Sequence, residues 1–318
     1  MAQALAGRSK MTLEELNSAV EDGSIDEIIR VAEARQRKVL SRIADEICLR
    51  EKVRLVLVSG ASSAGKTTTA TRLCTQLRVN YRSAFHLSTD DYFVGDLRNP
   101  RDENGELDYE HVECVDIPML VSDMNALMEG KTIRRRRFDF VKHEGYFSGE
   151  ELHVPDGGII VLEGIHALNP ALTNGVSDEA KFKVFIDPKP SIDVFGGIKP
   201  KSSEARLLRR LVRDRQFRKV SPAETFRMWP KVLAGERKWI EPFSGNADVK
   251  FDSYLEYELA VLKPYVGGLL ERAKVELGEL PEIVNMIRLL APILPVSSTI
   301  VPGDSILREA IGNSQLEY

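Results

Sequence analysis

Cysteine is scarce: Cys48, Cys74 and Cys114 are the three in 318 residues. They are widely separated and none falls in a C-x-x-C or other metal-ligand spacing. The pattern excludes a disulfide framework and a thiolate metal site, and reduced thiols in a cytoplasmic protein are expected. Charge of one sign is missing as well, because 44 Lys and Arg against 48 Asp and Glu leave a net charge of −4. That balance gives no overall attraction to nucleic acid or to a membrane surface. No apolar run approaches the roughly 20 residues of a transmembrane helix, and the opening MAQALAGRSK lacks the apolar core of a signal peptide. Internal repeats and low-complexity stretches are absent too. What remains is ordinary soluble composition, 43% hydrophobic and 29% charged, with ample core for one large α/β domain with appendages or for two modest domains.

The stretch from Arg54 to Leu73, RLVLVSGASSAGKTTTATRL, is the most informative segment. An apolar run ends at Ser59, and Gly60 and Gly65 bracket Ala61, Ser62, Ser63 and Ala64. Lys66, Thr67 and Thr68 then open a helix-compatible pattern. This is the G-x-x-x-x-G-K-[ST] spacing in the strand–loop–helix setting that a phosphate loop requires. Small residues let backbone N–H groups curl around phosphate oxygens, and the following helix points its positive end at the same anion. Lys66 is placed to reach the β- and γ-phosphates, and the Thr67 hydroxyl to ligate Mg²⁺.

Elsewhere the chain alternates strand and helix patterns. Residues 11–50 read as helical, with an apolar stripe of Ile28, Ile29, Val31, Ala32, Val39, Leu40, Ile43 and Ile47. Strands are expected at VRLVLV, RSAFHLS, DGGIIVLE, AKFKVFID and ADVKFDS, and helices over 114–129, Ser202–Phe217 and Tyr254–Ala273. NPRDENGELDYEH is too polar for core and reads as a surface loop, whereas IRRRRFDFV and the segment to Val154 alternate like a hairpin. Two short helical patterns follow Glu276. The alternation predicts a parallel sheet with both faces covered. The expected organisation is a helical extension over 1–50, a P-loop domain over 51–275 and a helical tail over 276–318.

A phosphate loop serves many enzymes, so other residues must discriminate. A guanine-reading N-K-x-D is absent, which removes the GTPase reading. Glu163 ends a buried strand, at the carboxyl edge where open parallel sheets bind ligands, and suits an acid that orients a metal or its water. Asp90 and Asp91 follow AFHLST and fall on the same rim, where one of them can take a proton from an attacking hydroxyl. Arg206, Arg210 and Arg213 share one face of SSEARLLRRLVRDRQFR, with Arg209 nearby and Leu207, Leu208, Leu211 and Val212 opposite. Such a stripe suits a lid that neutralises phosphate charge. Its alternative is an exposed helix paired to Glu204 and Asp214. The run Arg134–Arg137 makes no continuous nucleic-acid patch, because alternation splits it between two faces, and it reads as a solvated strand in which one residue can face substrate.

Taken in order, GASSAGKTT, STDDYF, FDFVKH, VLEGIHAL and RLLRRLVRD resemble the uridine kinase/phosphoribulokinase family of P-loop kinases. PRDENGE, ELAVLKPY and SILREAIGN extend the likeness to the long bacterial-type uridine kinase-like proteins, here without their TGS-like domain. The resemblance implies an α/β P-loop NTPase fold of three layers, with a parallel sheet, a β-hairpin inserted at about residues 131–154, an arginine-rich helical lid, and helical N- and C-terminal extensions. It implies that Asp90 is the general base, with Lys66 and Arg213 as further catalytic groups, and that Glu163 helps Thr67 place Mg²⁺. It implies that Tyr109 and Glu110 hold a sugar, that His143 reads a base, and that Arg210 lies near the nucleoside. Arg213 and Arg218 would contact phosphates. Phe138 stands where uridine–cytidine kinases carry a tyrosine, and DPKPSIDVFGGIKPKSS departs from the family's Asp-His-Asn-Arg sequence before the lid.

The reading is therefore an ATP- and Mg²⁺-dependent kinase that phosphorylates a small hydroxylated acceptor, foremost the 5′-hydroxyl of a pyrimidine nucleoside. Nucleic acid and membrane are not expected partners, and a homo-oligomer is compatible with the sequence. A kinase of another small alcohol, like phosphoribulokinase or pantothenate kinase, is the nearest alternative. A nucleotide-binding regulatory protein without acceptor chemistry is the other.

Overall fold

Apolar runs and helical stretches alternate from Leu55 onward in the structure, a computed structural model that describes residues 11–194 and 199–317. Two helices come first, α1 (Leu13–Glu21) and α2 (Ile25–Leu49). The chain continues through β1 (Leu55–Gly60), α3 (Lys66–Val79), β2 (Ala84–Ser88) and α4 (Ile117–Met128). The hairpin β3 (Thr132–Asp139) and β4 (Glu144–His153) follows, then β5 (Ile159–Glu163) and β6 (Lys181–Ile186). The remainder holds α5 (Ser202–Arg213), α6 (Pro222–Gly235), α7 (Glu241–Ser244), β7 (Val249–Phe251), α8 (Glu258–Leu277), α9 (Pro281–Leu290) and α10 (Arg308–Ile311). Part of DPKPSIDVFGGIKPKSS, residues 195–198, and residues 1–10 of the N-terminal extension lie outside the described residues. Among the described residues no helix is long and apolar enough to cross a membrane.

The chain divides into two compact units. One comprises Arg37–Asp187, Arg227–Phe251 and Ser314–Tyr318. It contains the sheet, ordered β2–β5–β1–β6–β7 with every pairing parallel. Strands covered on both faces should read as unbroken apolar runs, and β1 and β5 do so, buried along their whole length. Alternation along the strands sorts the side chains into two layers. Leu55, Leu57, Leu87, Ile160 and Leu162 face a core shared with Leu120, Met124 and Leu127 of α4. The other face carries His86, Ser88 and Glu163, and Thr67 at the start of α3 bonds Glu163 there. The expected three-layer α/β fold is thus present, with α4, sheet and α3 as its layers. Register aligns both Val58 and Ser88 with Glu163, so three strands end side by side at the carboxyl edge. The hairpin is antiparallel and bulged between Arg134 and Arg136.

The second unit comprises the described residues of Met1–Gln36, Pro188–Phe226 and Asp252–Asn313. It is helical, and it holds α1 and the start of α2, with α9 and α10, beside α5 and α8. Asn17 of α1 clamps the tail through its amide, donating to Pro292 O at 2.8 Å and accepting from Leu294 N–H at 2.9 Å. The buried Tyr257 hydroxyl donates to Glu33 at 2.7 Å and touches Ser305 at 3.3 Å.

Candidate active site

The phosphate loop is built as its residue types require. Gly65 takes a left-handed conformation, φ 93° and ψ 33°, and so turns the chain into α3. Glycine adopts it without a Cβ penalty. The threonines that follow are poor helix formers, but the hydroxyls of Thr69 and Thr71 bond back to the carbonyls of Gly65 and Thr67 at 2.7 and 2.9 Å. Lys66 folds across the loop, its ammonium donating to Ala61 O at 3.2 Å. Residues Gly60 to Thr68 thereby form one cradle at the positive end of a 14-residue helix.

Three segments converge on Glu163, which is 2% exposed. Its Oε1 accepts from Thr67 Oγ1 at 3.3 Å and from Ser88 Oγ at 2.6 Å. Ser88 Oγ in turn accepts the N–H of Asp90 at 3.2 Å, capping the turn Thr89–Tyr92. Phosphate loop, strand-end acid and rim aspartate are therefore parts of one hydrogen-bonded network. Gly164 lets the strands approach this closely, since a Cβ there would fall 1.8 Å from Thr89 Oγ1. His86 Nε2 lies 3.8 Å from Glu163 Oε1. Burial, with the charges of Arg135 and Arg137, brings the imidazole down to about 4. The contact is accordingly with a neutral ring at physiological pH.

Asp91 faces the hairpin through Arg137. Burial pushes its carboxyl up to about 6, while Arg137, with Nη1 3.6 Å from Oδ2, works in the opposite direction. The arginine run is consequently not the solvated strand expected. Arg134 is exposed and stacks on Phe147 at 4.4 Å, but Arg135, Arg136 and Arg137 are half-buried. Arg136 donates to Phe93 O at 3.4 Å and packs on Met119.

Tyr109 and His143 meet over Asp96. The Tyr109 hydroxyl donates to Asp96 Oδ1 at 2.7 Å, and His143 Nδ1 lies 3.1 Å from the same oxygen. Burial and the Asp96 carboxylate push the Tyr109 phenol upward. Phe138 packs edge-on against Phe93 and Phe140, centroids 5.5 and 5.2 Å apart, an apolar cluster beside Asp91. Glu110 is half-buried next to α6. The fold thus places Tyr109 with His143, and Thr67 with Glu163 and the Asp90 turn.

Arg210, Arg213 and Arg218 belong to the helical unit. Arg210 is buried, and Arg213 and Arg218, the latter in the π turn after α5, are half-buried. Arg209 forms a 2.6 Å bridge to Glu258 with both side chains at most 4% exposed, and also bonds Ser253 O. Arg210 and Arg213 both bond Asp214, at 3.1 and 2.8 Å. Burial alone would raise the Asp214 carboxyl, but Arg213, Arg210 and Arg218 outweigh it and hold it below its ordinary value.

Ser88, Asp96, Phe93 and α6 itself did not stand out in the sequence. Ser88 had a usable signal, a serine two residues before the acid whose N–H it caps. Asp96 and Phe93 depend on contacts with the hairpin more than 40 residues away, which no local pattern carries.

The phosphoribulokinase/uridine kinase family model matches residues 55–260. A uridine kinase of Lactobacillus helveticus (strain DPC 4571) is 27% identical over 66% of this chain and 92% of its own length. One of Deinococcus deserti is 28% identical over 60% of this chain and 84% of its own. A solved Bacillus stearothermophilus structure, described as that of a possible uridine kinase, has a TM-score of 0.49 at 18% identity, covering 69% of this chain and 100% of that one.

Proposed function

The chain belongs to the phosphoribulokinase/uridine kinase family, and we propose that it transfers the γ-phosphoryl group of ATP to the 5′-hydroxyl of a uridine- or cytidine-like nucleoside. The observation that carries this reading is the Thr67–Glu163–Ser88–Asp90 network, which joins the phosphate loop to two carboxylate-bearing segments and supports Glu163 as the metal-orienting acid and Asp90 as the base. In the proposed reaction Asp90 takes the proton of the acceptor hydroxyl. The freed oxygen attacks the γ-phosphorus while the bond to the ADP oxygen breaks. Lys66 offsets the charge on the phosphates. Tyr109 and Glu110 hold the sugar, and His143 and Phe138 face the base.

Mg²⁺ fits the donors present. A hydroxyl and a carboxylate are hard oxygen ligands, and Mg²⁺ is commonly held by one or two carboxylates together with substrate phosphates. Among the described residues no group of three His, Cys, Asp or Glu is gathered to hold a metal by itself. Thr67 and Glu163 would hold the ion together with the phosphates, and when bound it supplies charge neutralisation to them.

A second acceptor class is favoured by one observation. The Phe93–Phe138–Phe140 cluster presents rings without a hydroxyl where the family's tyrosine would meet a pyrimidine, so another small alcohol is the alternative acceptor. An ADP-release assay over a panel of nucleosides and sugar alcohols decides. Release that depends on uridine or cytidine supports the nucleoside reading, and release with another alcohol alone supports the second. Release independent of any acceptor, or none, would indicate a nucleotide-binding regulatory protein.

A further inference from the structure

We propose that one row running from helix α6 into the π turn that follows it, Lys231, Gly235 and Trp239, is the rigid back wall that positions the acceptor-holding Glu110. The inference rests on the reading above, because it works through Glu110.

The three residues are spaced four apart, so they lie along one side of a helix. Each meets the polar segment that leads into Tyr109 and Glu110. Lys231 Nζ bonds Asp102 Oδ2 at 2.8 Å and also bonds Glu106. At Gly235 a Cβ would lie 2.3 Å from Glu110 Cβ and 2.8 Å from its Cγ. Trp239 packs on the His111 ring, with centroids 4.4 Å apart. His111 is gripped from the other side as well, its Nδ1 accepting Glu113 N–H at 3.1 Å. Four residues overshoot one α-helical turn by about 40°, so such a row drifts around the axis. The wider π turn at Glu236–Ile240 counters that drift and brings Trp239 over His111. Gly235 has ordinary helical angles, φ −61° and ψ −41°, so the glycine serves space and not conformation. Its cost to the helix is offset by letting the Glu110 stem press against the backbone. Gly235 is thus a positioning residue, acting on the acceptor through Glu110.

The test compares wild type, Gly235→Ala, Glu110→Gly and the double variant, using ATP and the best acceptor of the panel. In Glu110→Gly only Cα remains, 3.7 Å from where the methyl of an alanine at 235 would lie, so the double variant has room to fold. Gly235→Ala should raise acceptor KM at least roughly tenfold while ATP KM stays within about twofold. Glu110→Gly should raise acceptor KM similarly, and the double variant should be no worse than Glu110→Gly alone. Gly235→Ala should also lower Tm by several degrees in the wild-type background and not in the Glu110→Gly background. An unchanged acceptor KM in Gly235→Ala, beside a raised one in Glu110→Gly, overturns this inference and leaves the kinase reading intact. Equal losses for ATP and acceptor, or equal Tm losses in both backgrounds, also overturn it. An unchanged acceptor KM in Glu110→Gly removes the role of Glu110 and the inference with it, and absence of acceptor-dependent ADP release overturns both readings.

Discussion

The Ser88 hydroxyl donates to Glu163 Oε1 at 2.6 Å, joining the ends of neighbouring parallel strands β2 and β5. Ser88 Oγ also accepts the N–H of Asp90 at 3.2 Å, so Ser88 links Glu163 to the Asp90 turn. Ser88→Ala removes a donor to a buried carboxylate and a cap at once. A stability loss of about 1–3 kcal/mol is expected from losing one hydrogen bond to a buried carboxylate. Activity should fall further than stability explains, with kcat reduced at saturating ATP and acceptor. Denaturant unfolding and steady-state kinetics on the same preparation check this, and an unchanged kcat would remove Ser88 from the site.

Asp91 predicts a pH dependence of stability. Burial raises its folded value to about 6, above the 3.8 expected of an unfolded aspartate. The native state therefore holds the proton more tightly between those values, and stability falls as pH rises from about 4 to 6. A raised acid is stabilising when protonated, so this contribution is complete below the unfolded value and gone above the folded one. Asp91→Asn cannot titrate. The stability difference between variant and wild type should move in the variant's favour by on the order of 2 kcal/mol between pH 4 and pH 7. A difference that stays flat across that range contradicts the assignment.

Much of this was legible in the sequence, because the signals are local. Ser59 to Leu73 fixes strand, loop and helix through short-range glycine and apolar patterning, and β5 is recognisable as an unbroken apolar run ending in an acid. The failures have a physical source. Alternation placed the arginines of β3 in solvent, but a half-buried guanidinium is tolerated once a carboxylate such as Asp91 sits beside it, and that partner is 46 residues away. Helical spacing set Arg209 only near the face of Arg206, Arg210 and Arg213, and the carboxylate that holds it within the core, Glu258, is 49 residues away. Helix α6 lacks a clean periodic signature because Pro230 and Gly235 interrupt it. Proline inside a helix usually reads as a stop, and only tertiary contacts reveal why Gly235 is there.

Tyr109, Asp96 and His143 form a bridge in which Asp96 holds both partners. His143→Ala should raise acceptor KM well above any change in ATP KM, and Asp96→Asn should move it in the same direction through loss of the shared acceptor. Steady-state titration of each substrate separates the two constants. Equal effects on both would exclude an acceptor-side role for the bridge.

The Arg209–Glu258 pair belongs to the frame of the helical unit. Glu258→Ala leaves a guanidinium in a site where Arg209 is 3% exposed, and should cost about 3–5 kcal/mol. Replacing both residues with apolar groups of similar volume should recover most of that loss. Thermal and denaturant unfolding of the single and double variants measure it, and a Glu258→Ala loss below about 1 kcal/mol would show that the pair is not structurally important.

The central claim is that Asp90 is the base of a phosphoryl transfer and the phosphate loop its donor site. The direct measurement is acceptor-dependent ADP release by Asp90→Asn, paired with calorimetric ATP binding to the same variant. Loss of a general base should cut kcat by about 10²–10⁴-fold, with ATP affinity within about twofold of wild type. Wild-type-like turnover in Asp90→Asn would contradict the account.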